Sequence, residues 1–166
     1  KIQKLQSNMS FGLSSGGMFG MVNNDGMEVL AGLGLLGSFD VRDYIFQMNV
    51  EFYAGAYSEF YDLQISALYP FTDRNNTPFV IAGIGYNYLE TTNDEGLEDE
   101  IGNATSTAKP NEFYNGLMFS GGGGYLLKRN SNVHIQIYGK GYISSYPIRK
   151  TTPFGAIVGV ALLFGS

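Results

Sequence analysis

From Ile45 to Tyr57 the chain reads IFQMNVEFYAGAY, and polar and apolar positions alternate along it. Phe46, Met48, Val50, Phe52, Ala54 and Ala56 form one set, and Gln47, Asn49, Glu51, Tyr53, Gly55 and Tyr57 the other. A period of two puts the two sets on opposite faces of a β-strand. Tyr61, Leu63, Ile65, Ala67 and Tyr69 stand in the same relation to Asp62, Gln64 and Ser66, and Val133, Ile135 and Ile137 to His134, Gln136, Tyr138 and Lys140. No stretch shows convincing helical spacing. Eight strands are predicted, at 3–14, 27–38, 44–57, 59–71, 78–90, 113–127, 132–145 and 154–164. Most reach the roughly 9–11 residues with which a tilted strand crosses a bilayer.

The connections between these strands alternate as well. DVRD (40–43), TDRNNT (72–77) and KRNSN (128–132) are short and polar. At the other end stand SSGGMFGMVNNDG (14–26), a tight link at Tyr57-Ser58, ETTNDEGLEDEIGNATSTAKPNE (90–112) and SYPIRKTTP (145–153). Short turns on one side and mostly longer loops on the other describe an all-β, eight-stranded, antiparallel up-and-down transmembrane β-barrel of a bacterial outer membrane, with both termini periplasmic. Tyr44, Tyr69, Phe71, Phe79, Tyr86, Tyr88, Phe113, Tyr114, Tyr146, Phe154 and Phe164 lie at or near strand ends, where interfacial girdles are expected. The closing run PFGAIVGVALLFGS (153–166) carries no charge and falls short of the about 20 residues a membrane helix needs. As the eighth strand it must pair with the first, so that no edge lies open in lipid. Phe154, Ala156, Val158, Val160, Leu162 and Phe164 are then expected outside, and Gly155, Ile157, Gly159, Ala161 and Leu163 inside.

Alternation does not say which face points outward, and composition helps here. Charged residues make up 15% of the chain, against roughly 25% in soluble domains. Polar faces so poor in charge do not suit a water-facing surface, which places them inside. The expected inward set is Glu28, Asn49, Glu51, Asp62, Gln64, Asn87, His134, Gln136 and Lys140. Eight strands leave an interior only wide enough for side chains to fill, and buried charges need partners. Lys140 is expected to pair with Glu51 or Asp62 in a polar plug, the alternative being a narrow small-solute channel.

Other chemistry is sparse. The 166 residues show no composition break, so a single domain, 1–166, is expected. The absence of cysteine excludes disulfides, a thiolate zinc site and a cysteine nucleophile, while 10 Lys and Arg against 15 acids, forming no stripe, exclude nucleic acid as a partner. SGGGGYLL (120–127) lacks the Lys-Ser/Thr of a phosphate loop, and no cofactor is expected. Its glycines, like those of AGIGYNY (82–88), suit close packing or sharp curvature. In NDEGLEDE (93–100), Asp94, Glu95, Glu98, Asp99 and Glu100 lack EF-hand spacing; a solvated acidic loop is expected, with divalent ions shared with lipopolysaccharide as the alternative. No apolar segment of secretory type follows Lys1, so the chain was either not exported or has lost its signal.

The pattern over nearly the whole chain resembles the small eight-stranded outer-membrane barrels of the OmpA/OmpX type. YDLQISALYPFTDRNNTPFVIAGIGYNYL (61–89) looks like the central hairpin of that family, a strand ending in Tyr-x-Phe, a short turn, then a Gly- and Tyr-rich strand. Gly159, Leu162 and Phe164 match the Gly-x-x-Φ-x-Φ core of its β-signal. The resemblance implies an integral, multi-pass outer-membrane protein, recognised by the barrel-assembly machinery and in contact with membrane lipid and lipopolysaccharide. A non-enzymatic structural, surface-contact or partner-anchoring role is expected, with a protein partner in the membrane or periplasm. Lipid A deacylases of similar fold use a His-x-Ser pair, whereas this chain reads His134-Ile135-Gln136 around its single histidine. Palmitoyl-transferring barrels use a His near the outer rim, whereas His134 falls near the periplasmic start of its strand. A lipid-modifying enzyme is therefore disfavoured. A lipocalin-like soluble barrel is disfavoured too, because its Gly-x-Trp signature needs a Trp that the chain lacks.

Overall fold

The computed structural model describes residues 9–23, 26–41, 43–91, 112–147 and 152–165. They form β1 (Met9–Asn23), β2 (Gly26–Val41), β3 (Tyr44–Ala54), β4 (Ser58–Pro70), β5 (Thr77–Thr91), β6 (Glu112–Leu127), β7 (Val133–Ser144) and β8 (Phe154–Gly165). Each strand pairs antiparallel with its sequence neighbours, and β1 pairs with β8 from Ser10↔Gly165 to Gly20↔Gly155 to close the barrel. Closure satisfies the backbone of every strand without leaving an edge.

The apolar faces point outward. On β3, Met48 is 58% and Val50 52% exposed, while Gln47, Asn49 and Glu51 are buried. The outer wall continues through Leu13, Leu35, Leu63 and Val160 without a charged group at that level. Such a wall is stable in hydrocarbon and unfavourable in water, which overturns the soluble-barrel alternative. On β8 the expected division of inner and outer residues is observed residue for residue.

β1 is the element that departs from expectation. It runs through SSGGMFG, which reads as a loop in the sequence, so the link to β2 is short rather than thirteen residues long. Glycine and serine obscure its alternation, yet Phe11, Leu13 and Phe19 point outward and Ser14 and Met18 inward. The inward small residues make room for large ones: a Cβ at Gly159 would lie 2.6 Å from the Tyr138 ring, and one at Gly155 2.7 Å from the Tyr142 hydroxyl. Three expected girdle residues are also corrected, since Phe79 and Tyr146 are buried inside and Tyr114 packs on the core. Neighbours in a strand alternate, so Phe113 and Tyr114 cannot both face lipid. The outward aromatics form two ladders, Phe52–Tyr61–Tyr88–Phe113 at 4.8, 5.9 and 5.9 Å on the loop side, and Phe39–Phe46 and Tyr44–Tyr69–Phe71 on the short-turn side.

Inside, two apolar plugs enclose a polar belt. Met18, Leu30, Phe60, Leu89 and Tyr142 fill the loop-side half, and Leu36, Ile45, Leu68, Phe79, Leu126 and Leu163 the other. Glycines of β6 and β7 answer to this packing in two ways. A Cβ at inward Gly122 would strike the backbone of Gly139 and Lys140, whereas one at outward Gly139 meets nothing within 4 Å. Gly122→Ala is therefore expected to cost about 1–3 kcal/mol by overpacking. Gly139→Ala should stay within about 0.5 kcal/mol of wild type. Urea midpoints of the refolded barrel compare the two.

Candidate functional site

The polar belt draws its side chains from opposite walls. β3 and β7 stand four strands apart in an eight-strand ring, yet side chains join them or their neighbours across the lumen. Gln47 Nε2 donates to Gln136 Oε1 at 2.7 Å, with a reciprocal bond at 3.4 Å. The Tyr138 hydroxyl donates to Glu51 Oε1 at 2.9 Å. Phe60 of β4 meets Tyr142 of β7 with ring centroids 5.8 Å apart.

Lys140 is the centre of the belt. Its ammonium lies 3.0 Å from Glu51 Oε2 and donates to Gln64 Oε1 at 2.9 Å, with the Tyr138 ring 5.7 Å away. Both ionic side chains are shut off from solvent, at 0% and 2% exposure, so attraction and desolvation are both large and the hydrogen bonds decide the balance. Gln64 passes the network on, donating to Ser120 Oγ at 2.7 Å and accepting from Ser66 Oγ at 3.2 Å. Of the two carboxylates expected to hold Lys140, Glu51 does so. Asp62, directly across from Glu51 on β4, is 2% exposed and neither carboxyl oxygen has a hydrogen-bond partner.

Glu28 and His134 do not join this belt. Glu28 sits near the loop end of β2, where Oε1 accepts the Tyr57 amide at 2.9 Å and so caps the β3–β4 turn. Along β7, six positions separate His134 from Lys140, roughly 20 Å of strand. His134 is half-buried in the short-turn mouth, where it lines a polar pocket of about 70 Å³ with Ser10, Asp40, Arg129, Ser131 and Asn132. Carboxylate, imidazole and hydroxyl meet there, but His134 Nδ1, the atom a triad carboxylate would orient, is buried without a hydrogen-bond partner. Parity alone had placed both residues inside; it is silent about height along the barrel.

The short-turn mouth is laced shut by its own turns. Arg129 N donates to Asn75 O at 2.8 Å, Asn130 N to Asn75 Oδ1 at 3.1 Å, and Lys128 N, at φ 56°, to Asn76 Oδ1 at 3.0 Å. Arg129 also reaches Asp40 at 3.7 Å, a part-exposed pair of small worth. The loop side is closed by the aromatic plug and by Asn87, which donates to Ser144 Oγ at 2.8 Å and the Tyr146 hydroxyl at 3.4 Å. Burial pushes the Tyr146 phenol up to about 12, so it works here as a neutral group.

Tyr138, Tyr53, Ser66 and Ser120 were missed as belt residues, although Tyr138 shares the parity of Gln136 and Lys140. Gly159, Leu162 and Phe164 lie on β8, the first inward and the other two outward. Asp94, Glu95, Glu98, Asp99 and Glu100 lie outside the described residues. Among the described residues no cluster of three His, Asp or Glu side chains is placed to hold a metal ion.

No protein-family model and no curated protein matches the chain. Solved structures do. Neisserial surface protein A (NspA) is 10% identical with a TM-score of 0.74, over 94% of this chain and 96% of that one. The N-terminal β-barrel domain of OprF from Pseudomonas aeruginosa is 17% identical with a TM-score of 0.56, over 96% and 100%. Ail, the attachment invasion locus protein of Yersinia pestis, in its complex with the heparin analogue sucrose octasulfate, is 11% identical with a TM-score of 0.57, over 96% and 100%. The fold is that of the small eight-stranded outer-membrane β-barrels. At these identities the likeness extends to the wall and its closure, and each lumen must be read from its own residues.

Proposed function

We propose that the protein is a non-enzymatic, integral outer-membrane barrel that serves as a structural and surface-contact element, and that its lumen is a plug. The observation that carries this reading is the cross-lumen contact made at successive heights, Gln47–Gln136, Glu51–Lys140 and Phe60–Tyr142. Side chains bonded to the far wall leave a solute no file to follow, and the apolar plugs and laced turns lie in series with them. A wall that is apolar outside and a β8 carrying Gly159, Leu162 and Phe164 support insertion by the barrel-assembly machinery. In this reading the short turns and both termini are periplasmic. The loop-side aromatic ladder meets the lipopolysaccharide leaflet, and contact with a protein partner falls to the loops.

Planar-bilayer recording is the test. The wild-type barrel is expected to give no conductance steps. Steps in wild type that change in Lys140→Ala or Glu51→Ala would replace the plug with a narrow solute channel. Orientation is checked separately with an epitope tag inserted at Asp73 or after Gly165, which external protease should leave intact on whole cells.

A further inference from the structure

The belt holds one more buried carboxyl than its cations can balance. Glu51 is fully engaged, Oε1 by the Tyr138 hydroxyl at 2.9 Å and Oε2 by the Lys140 ammonium at 3.0 Å. Asp62 is its direct register partner on β4, with side chains of both residues pointing inward. Like charges on facing positions of neighbouring strands disfavour ionising both, and a buried carboxylate without a donor is costly. On its other side Asp62 faces Asn87 of β5, again in direct register. Asn87 is 0% exposed, and its Nδ2 is directed at Ser144 and Tyr146. Its Oδ1 is buried with no hydrogen-bond partner, as are both oxygens of Asp62. Three acceptor oxygens on facing side chains thus stand without a donor between them. The titratable and charged groups that face Asp62 from the packed elements are Glu51 and Tyr53 on β3 and Lys140 on β7.

We infer that Asp62 is a proton-binding site of the lumen: it holds its carboxyl proton at neutral pH and donates it to Asn87 Oδ1. One proton converts an acceptor facing an acceptor into a hydrogen bond. It also leaves the belt with a single ion pair, Lys140 with Glu51, and no net charge. Two donors are already committed to Glu51, and Asp62 has none. The lumen is therefore a neutral plug, and whether it conducts does not bear on this protonation.

Infrared spectroscopy of the refolded barrel tests the inference. At neutral pH wild type should show the C=O stretching band of an un-ionised carboxylic acid, shifted downward in D2O, and Asp62→Asn should lack it. Asn is isosteric and supplies an N–H toward Asn87 Oδ1, so the variant is expected to fold. If it does not, wild type labelled with carboxyl-13C aspartate gives the same reading by NMR. No acid band in wild type at neutral pH, or an ionised 13C shift for every aspartate, overturns the inference. The carboxylate is then ionised, with the Asn87 amide turned end for end to donate to it. A wild-type melting temperature that rises when choline is replaced by sodium or potassium, and does so less in Asp62→Asn, also overturns it in favour of a bound cation.

Discussion

Lys140→Met is expected to lower the unfolding free energy of the barrel by about 3–5 kcal/mol, the usual cost of removing one partner from a buried ion pair. The substitution keeps most of the side-chain volume and removes the charge, so the loss is electrostatic and not a cavity effect. Glu51 would lose its cation and keep the Tyr138 hydroxyl, and Gln64 Oε1 would lose its ammonium donor, keeping Ser66. Lys140→Met combined with Glu51→Gln removes both charges and should recover much of the loss, because a neutral pair needs no counter-ion in the lumen. Urea titration of the refolded barrel, read by the difference in gel mobility between folded and unfolded forms, measures both variants. A Lys140→Met barrel as stable as wild type would falsify the view that this pair organises the belt.

The second large effect belongs to the outer wall. Val50 faces outward between Leu35 and Leu63, at the height of Glu51 and therefore away from either mouth. Val50→Arg should destabilise the barrel in a lipid bilayer by about 2–4 kcal/mol, the cost of a guanidinium near the midplane of a transmembrane barrel. Glu59→Arg, at the exposed loop-side end of β4, should cost no more than about 1 kcal/mol, because charge is tolerated near the interface. Equal, small effects at both positions would mean that Val50 meets water. Refolding into vesicles, with tryptophan-free detection by circular dichroism, gives the comparison.

Much of this was legible before any coordinates. Strict alternation in β3, β4 and β7 assigns a face to each residue, and the low charge content says which face is in. What stayed hidden has physical reasons. β1 lost its signal because Gly12, Gly16 and Gly20 carry no side chain to mark a face; the β8 backbone lies against the first two and the Tyr142 hydroxyl against the third. Whether Lys140 would take Glu51 or Asp62 depended on register and on reach across the lumen, neither of which a period of two encodes. Both carboxylates sit at one height on adjacent strands, so height could not separate them; the difference is that Tyr138, also on β7, is directed to Glu51 alone. Glu28 and His134 share the right parity and occupy the wrong latitude.

The pairing of Ser10 with Gly165 has a consequence of its own. Every strand in this ring borders two others in the same antiparallel way, so the wall itself does not record which strand came first in translation. The seam between β1 and β8 is like any other hairpin except that no peptide bond crosses its end. A short linker across that seam, with the chain opened at the Tyr57-Ser58 turn, would describe the same closed surface with a different beginning. The wall is thus cyclic in its strand order, while the chain runs through it from β1 to β8.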